Sequence, residues 1–75
     1  MYIRWKDGFT VNVSTDCGSV VILANKEGLQ SLADLFTALS RESAGSHVHL
    51  DRFNALEDSS VELIIEHSNT DRNGG

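Results

Sequence analysis

Only one stretch of this chain carries helical periodicity long enough to build a helix. In NKEGLQSLADLFTALSRES, residues 25–43, Leu29, Leu32, Ala33, Phe36 and Leu39 recur at three- and four-residue spacing, and Leu35 widens the stripe. Asn25 stands where an N-cap belongs, its side-chain oxygen free to accept an amide of the first turn. Lys26, Glu27, Gln30, Ser31, Asp34, Thr37 and Arg41 mark the wet side, and Gly45 is placed to stop the helix and reverse the chain. Gly28 in the first turn costs about 1 kcal/mol relative to alanine if interior. Its presence there points to close approach of the helix to the preceding strand.

The rest of the chain reads as strands. Residues 2–6 and 9–14 flank Asp7-Gly8, a strong two-residue hairpin signal, with Ile3 and Trp5 on one face and Phe9, Val11 and Val13 apolar in the second strand. Residues 16–19 make a turn, and Ser19-Val20-Val21-Ile22-Leu23-Ala24 is apolar without a break, the pattern of a strand central in its sheet or covered on both faces. After the helix, residues 46–50 form a short strand. A long connection over 51–60 follows, with Phe53 and Leu56 as apolar anchors against the body, and residues 61–67 form the last strand, Val61, Leu63 and Ile65 inward and Glu62 and Glu66 outward. The predicted order is β-β-β-α-β-β. It defines an α+β domain over residues 1–67, an antiparallel-dominated sheet with one helix packed on one face, and a disordered polar tail over 68–75.

With 75 residues there is one small domain, which buries only about 60% of the surface its unfolded chain exposes. A second copy docked on the open face or an edge strand is a way for so thin a core to gain cover. The net charge of −5 argues against a nucleic-acid binder, which needs clustered cations to displace counterions. It suits a basic protein partner, although plain solubility explains the same balance. Cys17 is the sole cysteine, so no internal disulfide forms. No apolar run is long enough for a signal peptide or a membrane span, and the expected location is the cytoplasm.

The most distinctive short stretch is GSHVHLD, residues 45–51. On a strand, Val48 and Leu50 point to the core, and His47 and His49 lie together on the other face, about 7 Å apart at Cα. That spacing permits both imidazoles to reach one metal ion, which makes a small metal-binding module the alternative reading. Structural zinc needs four protein ligands and catalytic zinc three, and the spacing of His67, Cys17, Asp51 or Glu66 selects none of them. No metal, other cofactor or catalytic group is therefore assigned, and no nucleophile elbow, phosphate loop or zincin motif is present. An enzyme is not expected.

The runs VVILANKEGLQSLADLFTAL, GSHVHLD and LEDSSVELIIEH, together covering roughly residues 20 to 67, resemble the small bacterial immunity proteins of the Immunity protein 32 family. The resemblance implies a non-enzymatic binding protein that neutralises a cognate toxin of a polymorphic-toxin system. An acidic inhibitor of this kind suits a basic nuclease toxin. The face opposite the helix then becomes the candidate partner surface: His47, His49, Glu62 and Glu66, with Asp51, Arg52, Glu57 and Asp58 along one rim. Tyr2, Arg4 and Lys6 fall beside it on the expected first strand.

Overall fold

The structure, a computed structural model, describes residues 3–68. Its elements run β1 (Val11–Asp16), β2 (Ser19–Ala24), α1 (Lys26–Ser40), β3 (His47–Leu50) and β4 (Leu63–Glu66). β1 and β2 form one antiparallel hairpin, β3 and β4 a second, and the helix lies between them in sequence. This is the expected α+β class in a single small body.

The expected first strand does not form among the described residues. Asp7-Gly8 does turn the chain, with the Phe9 amide donating to the Lys6 carbonyl at 3.1 Å, but only Gly8 has positive φ. A tight hairpin of the primed type needs positive φ at both central residues. That geometry occurs instead at Cys17 (49°) and Gly18 (87°), which join β1 to β2. Nor does β1, the expected partner, have an edge left for residues 3–6. One edge of β1 holds β2, and the other is bonded by the 57–61 segment: the Glu57 amide donates to Val11 O at 2.9 Å, Val61 N to Val13 O at 2.9 Å, and Val13 N to Ser60 Oγ at 3.0 Å. The N-terminal segment packs on the body through Ile3 and Trp5, with Trp5 stacked on Phe9 at 4.7 Å. Arg4 and Lys6 are thus not part of a strand, and Tyr2 lies outside the described residues.

The core joins both hairpins to the helix: Val11 and Val13 from β1, Leu32 and Leu35 from α1, Leu50 from β3, and Ala55 and Leu56 from the connection. Leu35, read as the margin of the helical stripe, is at its centre, whereas Leu29, Ala33 and Phe36 are exposed. Ser31, expected on the wet side, is fully buried. Its hydroxyl accepts the Lys6 amide at 2.9 Å and donates to the Glu27 carbonyl at 2.8 Å, so the burial leaves no polar atom unmatched. Phe53 is the other departure. It is 82% exposed, while Leu56 alone anchors the connection.

Two local devices fix the helix. Asn25 caps it as expected: its Oδ1 accepts Gly28 N at 2.7 Å and also Thr10 N at 3.0 Å, and its Nδ2 donates to Gly8 O at 2.8 Å. Gly28 marks a close approach, but to the entry of β1 and not to β2. A Cβ there would collide with the Thr10 carbonyl oxygen and lie 3.0 Å from Val11 Cγ2. The helix closes at Ser40, before Gly45, through i→i+3 bonds from Arg41 and Glu42. Gly45, at φ 93°, reverses the chain into β3, and its amide donates to His67 O at 2.8 Å.

The continuous apolar run of β2 is neither central nor doubly covered. Val20, Val21, Ile22 and Leu23 are 63, 43, 41 and 70% exposed, because the helix sits over β1 and no third strand follows β2.

Candidate functional site

Alternation along β3 places Val48 and Leu50 inward and leaves His47 and His49 exposed on the outer face. The antiparallel register with β4 pairs His47 with Glu66, Val48 with Ile65, His49 with Ile64 and Leu50 with Leu63. Paired residues share a face, so His47, His49, Ile64 and Glu66 stand together on one side of the hairpin. Glu62 joins them from just before β4, its Oε2 3.0 Å from His49 Nδ1. An ionised carboxylate only accepts, so Nδ1 carries the proton in that contact. The two imidazoles meet edge to face at 5.0 Å between centroids. His47 Nδ1 also lies 3.4 Å from the Gly45 carbonyl oxygen.

The rim residues divide. Asp51 is spent largely on a turn: its carboxylate accepts Phe53 N at 2.9 Å, its amide donates to Asn54 Oδ1 at 2.9 Å, and its carbonyl takes the amides of Asn54, Ala55 and Leu56. Asn54 Nδ2 ties that turn to β3 through His49 O at 2.9 Å. Arg52 lies over the ring of exposed Phe53 at 4.8 Å. Glu57 and Asp58 are exposed beside β1, and no hydrogen bond or ion pair joins them to the histidines among the described residues.

Two residues of this surface escaped the sequence reading. Ile64, 53% exposed, stands in register with His49, between Glu62 and Glu66 along β4. Its parity along the strand was the available signal. Phe53 was read as a core anchor, and its polar neighbours Arg52 and Asn54 were the hint that it faces solvent.

From His47 to Glu66 the chain carries five carboxylates (Asp51, Glu57, Asp58, Glu62, Glu66) and one guanidinium (Arg52), which is −4 of the total −5 with histidines neutral. The acidity is concentrated in the second hairpin and the connection leading to it.

The third histidine serves elsewhere. His67 Nδ1 lies 3.1 Å from Leu39 O, where it can donate to a carbonyl of the last helical turn. Among the described residues no three His, Cys, Asp or Glu side chains cluster as metal ligands. The concavity beside His47 is an open depression of about 480 Å³ lined by Glu42, Ala44, Gly45, Ser46 and His47. No helix is long and apolar enough to cross a membrane among the described residues.

Two hairpins clamped by one capped helix, with an exposed acidic ribbon and Ile64 and Phe53 at its surface, define a small α+β domain. The family model of Immunity protein 32 matches residues 19–68, from the first residue of β2 to just past β4, and the chain belongs to that family. Comparison with curated proteins and with solved structures gives no match.

Proposed function

We propose that this protein is a non-enzymatic immunity protein that acts in the cytoplasm and neutralises a cognate toxin by direct binding through the β3–β4 face and the adjoining connection. The observation that carries the reading is the concentration of −4 net charge between His47 and Glu66 around two exposed apolar groups. Interfaces put aromatic, aliphatic and arginine anchors inside a polar rim, and Phe53, Ile64 and Arg52 supply those anchors here. His47, His49, Glu62 and Glu66 form the centre of the contact, and Asp51, Arg52, Glu57 and Asp58 extend it. A basic toxin, such as a nuclease, gains association rate from this field, since complementary charge steers encounter. Inhibition then comes from steric and electrostatic cover of the toxin's own site.

The test is to look for a toxin-like gene beside this one, co-express the two, and co-purify the chains at increasing salt. Protection of the cell and a complex that weakens as salt rises are expected, with Glu62→Lys combined with Glu66→Lys reducing affinity at least tenfold. Failure to protect, or a complex indifferent to these reversals, overturns the reading.

A further inference from the structure

The exposed strand β2 has a free edge whose hydrogen-bonding pattern follows from its neighbours. Val11 and Val13 give their backbone groups to Glu57, Ser60 and Val61, so the ladder to β2 runs through Asn12, Ser14 and Asp16 to Leu23, Val21 and Ser19. The Asn25 amide continues that parity by donating to Thr10 O at 3.2 Å. The amides and carbonyls of Val20, Ile22 and Ala24 therefore point to the open edge, and none of them has a partner among the described residues.

Natural edge strands are normally blunted by proline, a lysine, a bulge or very short length. β2 has six residues, an unbroken register with β1, no charge and no proline. We propose that this edge pairs with the same edge of a second copy, β2 against β2 in antiparallel order about a two-fold axis at Ile22.

The register is set by parity. Narrow hydrogen-bonded pairs need an outward-facing residue on each strand, and pairing Ile22 with its own counterpart is the two-fold arrangement that uses all three. Val20 then meets Ala24 of the other copy, and Ala24 meets its Val20. The alternative of one strand from an unlike protein lacks this self-complementarity. Charge permits the approach, because the four exposed side chains carry none in a molecule of net charge −5. The same register brings Lys26 alongside the Asp16–Ser19 turn of the other copy, where Asp16 offers the opposite sign.

The pairing closes. The far edge of each β1 is already bonded by the 57–61 segment, so two copies make a four-stranded sheet, β1-β2-β2-β1, with no open strand at either end. Val20 to Leu23 expose roughly 400 Å² per copy, so pairing at this edge falls in the weak, concentration-dependent class of contacts, below about 1,200 Å² in total. The 57–61 segment that leads into Glu62 bonds the opposite edge of β1, so the pairing leaves that side uncovered.

Sedimentation velocity of the full chain tests this. A species of twice 8.2 kDa is expected at high micromolar concentration, dissociating on dilution. Ile22→Pro removes an outward amide and no bond to β1, and is expected to sediment at 8.2 kDa with its circular dichroism retained. In a Cys17→Ser background, Ile22→Cys should form an intermolecular disulfide at least ten times faster than Val21→Cys, since a two-fold hydrogen-bonded pair has Cα atoms about 5.5 Å apart. A wild type that is monomeric up to millimolar concentration overturns the proposal. So does equal cross-linking at the two positions, which decides the matter even if the proline variant unfolds. A monomer that loses toxin binding on Ile22→Pro would assign the edge to the toxin instead, and also overturns it.

Discussion

His49 Nδ1 lies 3.0 Å from Glu62 Oε2, and both side chains remain half exposed. The contact spans the two arms of the second hairpin, yet water screens it, so its contribution to stability is at most about 1 kcal/mol. Its importance is in placing a carboxylate and an imidazole side by side on the acidic face. Glu62→Gln is therefore expected to move the urea midpoint by less than about 1 kcal/mol equivalent. The same variant should weaken toxin binding and flatten its salt dependence. A large stability loss would mean that the pair holds the fold and not the partner.

Asn25 links three parts of the chain with one amide group, so its variants should separate by which atoms they keep. Asn25→Ala loses the cap to Gly28, the bond to Thr10 and the bond to Gly8, and should cost about 2 kcal/mol. Asn25→Asp keeps both acceptor bonds and loses only the donor to Gly8, so it should recover more than half of that in the same denaturation series.

At Gly28 two effects oppose each other, and magnitude decides between them. Alanine gains about 1 kcal/mol of helix propensity. Against this, its Cβ meets backbone at Thr10, which cannot rotate away, and crowding of that kind costs about 1–3 kcal/mol or more. Gly28→Ala should be destabilising overall, and a more stable variant by thermal melting would contradict the close packing of α1 on the entry to β1.

Leu50 and Phe53 lie three residues apart and should behave in opposite ways. Leu50 is buried among both hairpins and the helix, so Leu50→Ala should cost about 2–5 kcal/mol. Phe53 touches mainly Arg52, so Phe53→Ala should leave stability within about 0.5 kcal/mol and instead reduce toxin affinity, read by calorimetric titration.

Periodicity and chemistry local to each segment determined much of this protein. They placed the helix start at Asn25, the split of Val48 and Leu50 from His47 and His49, the inward parity of Leu63 and Ile65 (though not of Val61, which is exposed ahead of β4), and the family, which is carried by residues 19–68. These features rest on neighbours a few positions apart, and alternation or a capping bond is visible in the residues themselves. Decisions about which segment lies beside which were made only by the tertiary structure. Ser31 looks polar and is buried because the Lys6 amide, 25 residues away, needs its hydroxyl. The run Val20 to Leu23 looks like a core strand and is exposed because the helix covers β1, while the 57–61 segment takes the other edge of β1. That same capture of an edge is why residues 3–6, with strand-like composition, do not pair with β1. An edge can bond only once, and competition for it is settled between distant segments.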